Sequence, residues 1–244
     1  MKKLAQLLLV SVMSMTLSDI HAEDNEADKA LKDARAFTKA GDFAKALERH
    51  EWFHNNALRI NQALYGVRLS FALSDWKRLA DKYPPALASL EATRDSGAKG
   101  LEAGTASPSM FHDVQSINEI LGAVQQTITL FKTLDTKNPD LAKKCFRFAQ
   151  ETLLAQGETD LFTRYAGDLV TYLKTQITRH DSITSHMKTR NGPGMESSIK
   201  HFDDALVTVA IQLADVAAKK GDAATAAQLK QMASKTVSDP RLTQ

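Results

Sequence analysis

The stretch PSMFHDVQSINEILGAVQQTITLFKTLDTKNP, residues 108–139, decides how the chain is read. Phe111, Val114 and Asn118 recur at helical spacing before Gly122, and Thr127, Phe131 and Leu134 recur after it. A glycine between two such runs lets the first helix end in a left-handed cap. Asn138-Pro139 then stops the second helix, because the residue before a proline is pushed out of the helical region. The segment therefore predicts a helix, a tight turn and an antiparallel helix.

The same pattern recurs along the chain. FTKAGDFAKAL, LLAQGETDLF and AAKKGDAATAA carry Gly41, Gly157 and Gly221 between helical runs. Asp42, Glu158 and Asp222 follow these glycines and suit helix starts, where unpaired backbone N–H groups favour negative charge. Downstream of the opening stretch, Phe146, Ala149 and Leu153 precede Gly157, while Phe162, Ala166 and Leu169 follow it as one helix. No segment alternates with period two for long enough to predict a strand. The fold class expected is all-α: antiparallel helix hairpins stacked as a short solenoid with inserted helices.

Gly122 and Gly157 stand one residue away from the 34-residue spacing of tetratricopeptide (TPR) units. The organisation resembles tetratricopeptide repeats, most closely over 108–141 and 142–176, then over 27–58 and 207–240. Ala34, Phe37, Gly41-Asp42-Phe43 and Ala46 fit the small and aromatic positions of the first unit; Ala210, Leu213, Ala214, Ala217, Gly221-Asp222 and Ala226 fit those of the last. YGVRLSFALSDW followed by FHDVQSIN also resembles uncharacterised exported bacterial repeat proteins. Within the TPR-like domain expected over 23–244, residues 62–103 form a helical insert hinged at Pro84-Pro85. Its first stripe is Leu69, Ala72, Leu73, Trp76, Leu79 and Ala80, and its second is Ala86, Leu87 and Leu90. Residues 97–108 and 185–197, rich in small residues or in Gly and Pro, are expected to be loops.

Residues 1–22 have the layout of a secretory signal peptide: Lys2-Lys3, an apolar run from Leu4 to Leu17, and a polar exit to Ala22. Cleavage after Ala22 would give an exported, periplasmic or secreted protein, with no membrane span in the mature chain. An uncleaved anchor is the alternative. A formal net charge of +2 gives no reason to expect nucleic acid as a partner. Cys145, the one cysteine, excludes an internal disulfide and reads as a buried, inert thiol.

His50-Glu51-Trp52-Phe53-His54 spells H-E-x-x-H. On a helix His50 and His54 stand one turn apart and could hold Zn²⁺, with Glu51 as the base toward a metal-bound water. The third ligand is missing: position 60 is Ile60 where an extended motif has His, and Asp75 and Asp81 are the nearest following acids. A packing helix, with both imidazoles filling aromatic-like space, is the preferred reading, and a zinc-dependent metallohydrolase is the alternative. Neither a cofactor nor an enzyme activity is expected. His112-Asp113 reads as a helix start and His180-Asp181 with His186 as solvated groups.

The resemblance to helical repeats implies a concave wall lined by the first helix of each pair. Carried over residue by residue, that wall holds Arg35, Lys39, His112, Ser116, Glu119, Lys144, Arg147, Glu151, Asp215 and Lys219. It implies a protein or peptide partner, with self-association through the Trp76 helix as a further option.

Overall fold

Four glycines shape the hairpins, and all four have positive φ: Gly41 at 82°, Gly122 at 68°, Gly157 at 73° and Gly221 at 80°. In each case the amide after the glycine bonds back across the turn to the carbonyl five residues before it. The pairs are Asp42 to Phe37 (3.0 Å), Ala123 to Asn118 (2.7 Å), Glu158 to Leu153 (2.9 Å) and Asp222 to Ala217 (3.0 Å). This is the Schellman arrangement, which satisfies orphan carbonyls at the helix end and reverses the chain. The expected acidic starts behave differently. Only Asp222 accepts a backbone N–H, from Thr225; Asp42 and Glu158 turn instead to Lys45 and Lys132.

The computed structural model describes residues 17–189 and 194–243, with side chains from residue 26 onward. Most of the signal-peptide expectation falls on residues 1–16, outside the described residues. Described are α1 (Leu17–Ala40), α2 (Phe43–Ile60), α3 (Tyr65–Leu69), α4 (Phe71–Ala80), α5 (Pro84–Glu102), α6 (Pro108–Ile120), α7 (Val124–Lys137), α8 (Pro139–Ala155), α9 (Thr159–Ala166), α10 (Leu169–Lys188), α11 (Met195–Lys219) and α12 (Ala223–Ser234). There is no strand among the described residues, so the protein is all-α. No helix among them is long and apolar enough to cross a membrane.

The chain forms two compact units, one of residues 1–100 with 113–123, the other of 101–112 with 124–244. In the first, Ala27, Ala30, Leu31 of α1 pack with Phe53 and Ala57 of α2 and Ala72 of α4. A second cluster joins Ala46, Leu73, Trp76, Leu79, Ala86, Leu90 and Ile117. All six residues of the first insert stripe are buried. The insert itself is cut at Ser70, which separates α3 from α4. The second stripe is corrected at Leu87, which is exposed while its neighbours Ala86 and Leu90 are buried.

In the second unit an aromatic series runs through the core. Phe111 meets Phe131 at 5.9 Å, Phe131 meets Tyr165 at 5.2 Å, Phe146 meets Phe162 at 5.7 Å, and Phe162 meets Tyr172 at 5.3 Å. Cys145 is buried here, and burial pushes its thiol up to about 11. Two expectations about chain breaks are corrected. α5 continues to Glu102, with Leu101 fully buried, so the loop expected from 97 shrinks to a few residues. The helix expected from Phe162 through Leu169 breaks at Gly167 (φ 72°), and Asp168 starts α10 by accepting the Thr171 amide at 2.8 Å. The loop expected over 185–197 is likewise shortened, since α10 reaches Lys188 and α11 starts at Met195.

Candidate functional site

The HEWFH segment lies mid-helix in α2, whose alanines at 46 and 57 put His50, Phe53 and His54 on its buried face. The indole of Trp76 touches both imidazoles, stacked on His50 at 6.1 Å and edge-on to His54 at 5.7 Å. His54 is also gripped by Arg68, whose Nε donates to the His54 carbonyl (2.6 Å) and whose Nη2 lies 3.0 Å from His54 Nε2. A guanidinium only donates, so Nε2 must accept, and its lone pair is spent. Arg68 in turn makes a bidentate pair with Asp113, at 2.9 and 2.7 Å. All three side chains are buried.

Burial and the nearby Arg68 hold the His54 ring neutral down to about pH 4, against a small opposing pull from Asp113. His50 is lowered to about 4 in the same way, by burial and then by Arg35 and Arg78. Its Nε2, like Trp76 Nε1, is buried without a hydrogen-bond partner among the described residues. Glu51 points to α5, where it accepts the Ser89 hydroxyl. The two imidazoles therefore share the Trp76 indole, His54 is held by Arg68 as well, and Glu51 turns away to a serine. Nowhere among the described residues do three or more His, Cys, Asp or Glu gather as a metal site.

Asp113 is corrected from a helix-start group to the buried partner of Arg68, well inside α6. His180 is corrected from a solvated group. It is buried, with its ring nitrogens 3.0 Å from Asp181 and 2.7 Å from Asp203 of α11.

Of the residues expected on a binding wall, Arg35, Lys39 and Glu119 belong to the first unit. Arg35 donates to the buried Asp75 of α4 at 2.5 Å, and Asp75 is also held by Arg78. Lys39 and Glu119 are exposed, whereas Ser116 is buried. Trp76 is core, so the exposed aromatic of its helix is Phe71. The second unit holds the others. Asp215 and Lys219 are exposed near the end of α11. On α8, Lys144, Arg147 and Glu151 are exposed at spacings of three and four, which places them along one face.

A residue not expected from the sequence organises that face. The ring of Phe148, half-buried, has His112 stacked on it at 4.8 Å and the Arg147 guanidinium over it at 4.7 Å. The signal was present in CFRF: Phe146 and Phe148, two residues apart, cannot both point inward from one helix. Structure thus brings His112 and Arg147 together through Phe148, with Lys144 and Glu151 a turn to either side. No family model matches the chain, and no curated protein matches it either.

Proposed function

We propose that this chain is an exported, non-enzymatic helical-repeat protein, TPR-like in its hairpins, that holds a protein or peptide segment in the bacterial envelope. The observation that carries the reading is the His112–Phe148–Arg147 stack on the outer face of α8. An aromatic ring with a guanidinium over it and an imidazole stacked on it presents a rigid apolar surface and charge together, a combination enriched in many protein interfaces. Lys144 extends the positive charge one turn along and favours an acidic segment. The four glycine-capped hairpins support the repeat-like arrangement, and the leader-like residues 1–22 support export.

The test is crosslinking of the tagged full chain in bacterial envelopes, followed by mass spectrometry. Lys144→Glu with Arg147→Glu is expected to cut recovery of the main crosslinked partner by about tenfold or more, as for loss of a charged interface anchor. Both side chains are exposed, so helix content should stay unchanged by circular dichroism. Recovery equal to the parent would refute the reading.

A further inference from the structure

A pocket of about 230 Å³ opens in the second unit, with walls from α8, α10 and α11. Its polar lining includes Glu151 of α8 and Arg179 of α10; its apolar lining includes Ile183, Leu206 and Val209. His180 also lines it, but both ring nitrogens already face Asp181 and Asp203, so it ties α10 to α11 rather than reaching inward. The volume exceeds the ~150 Å³ of an engineered cavity that takes up benzene.

The charges set the chemistry. Glu151 and Arg179 are of opposite sign and line the same pocket, yet neither side chain enters an ion pair or hydrogen bond among the described residues. Both are felt by the Tyr172 hydroxyl. Burial first and Glu151 second push it up to about 12, and Arg179 pulls the other way. Opposite charges that leave each other unpaired beside an apolar wall complement a molecule carrying the reverse pair and an apolar body. A plain fatty or aromatic acid would leave Glu151 repelled, and a plain amine would leave Arg179 repelled.

We propose that this pocket binds a small zwitterion with an apolar side chain, an α-amino acid of the leucine, valine or phenylalanine kind. Its ammonium sits at Glu151, its carboxylate at Arg179, and its side chain against Ile183, Leu206 and Val209. The site shares Glu151 with the α8 face that carries the Arg147–Phe148 stack, but its other lining residues named here lie on α10 and α11, and it does not depend on that face having a partner.

Isothermal titration of the purified full chain tests this with L-leucine, N-acetyl-L-leucine, L-leucinamide and glycine as probes. L-Leucine is expected to bind, and each of the other three, lacking the ammonium, the carboxylate or the side chain, about tenfold or more weaker. Arg179→Gln should weaken L-leucine at least about tenfold while leaving L-leucinamide no weaker; Glu151→Gln should do the same with N-acetyl-L-leucine no weaker. Both substituted side chains are exposed, and circular dichroism of each variant checks the fold. The proposal is overturned if L-leucine, L-valine and L-phenylalanine all give no binding up to about 10 mM. It is equally overturned if N-acetyl-L-leucine matches L-leucine, which makes the pocket a simple anion site, or if both variants keep the parent affinity. Envelope crosslinking at the Arg147 face is independent of each of these outcomes.

Discussion

His50 and His54, spelled as in a zinc motif, are both buried against Trp76. Both rings are neutral in the fold, with values near 4 against about 6.5 for an unperturbed histidine. Between those values the unfolded chain binds protons that the folded chain does not. Their contribution is therefore complete above about pH 6.5 and is lost as pH falls toward 4, on the order of 3 kcal/mol per ring. Urea midpoints should drop steeply from pH 7 to pH 4.5. His50→Phe should flatten that drop by about half without lowering the pH 7 midpoint, since it keeps the stack on Trp76 and removes the unpartnered Nε2. Asp113→Ala strands the buried Arg68 charge and should cost about 3–5 kcal/mol, much of it recovered in Arg68→Met with Asp113→Leu. Metal analysis of protein purified without a tag should find less than about a tenth of an equivalent of zinc; stoichiometric zinc would favour the hydrolase reading. No local pattern announces the Arg68–Asp113 pair, because its members are remote in sequence and each is unremarkable where it stands.

At the level of elements, turn chemistry was the most readable feature. Gly41, Gly122, Gly157 and Gly221 were legible as caps because a left-handed residue between two apolar-periodic runs is hard to supply otherwise. Gly167 is harder to read as a break, although Gly167-Asp168 repeats the Gly-Asp spelling of 41–42 and 221–222. The apolar positions on either side fit one helical stripe, and periodicity masked the break. The same physics gives a contrast in mutants. An added Cβ at Gly122 meets nothing within 4 Å, so Gly122→Ala should cost about 1–2 kcal/mol from backbone conformation alone. Gly122→Asn should cost less. Gly66, inside α3 with equally open surroundings and no positive φ, should instead gain up to about 1 kcal/mol as Ala. Denaturant midpoints of the three variants check both signs. Pocket and platform were less legible than the hairpins. Glu151, Arg147 and His112 are recognisable as outward residues, but which of them meet depends on packing between helices that spacing does not encode.

Across the whole molecule, the two units are interleaved in sequence: residues 113–123 return to the first after 101–112 have joined the second. A chain ended at Gly104 lacks Asp113 and Ile117, leaving the buried Arg68 without its carboxylate and the Trp76 cluster short of a member. It should show no cooperative melt, whereas a chain ended at Ala123 should melt cooperatively by circular dichroism. The distribution of side chains also builds optical and chemical reporters into the protein. Both tryptophans, Trp52 and Trp76, lie in the first unit, and the one thiol, Cys145, is buried in the second. Intrinsic fluorescence therefore follows one unit while thiol labelling follows the other, with no engineered probe. Since α6 contributes residues to both, the two curves should superimpose during urea unfolding. Separated midpoints would mean that this helix parts near residue 112 while one unit stays folded.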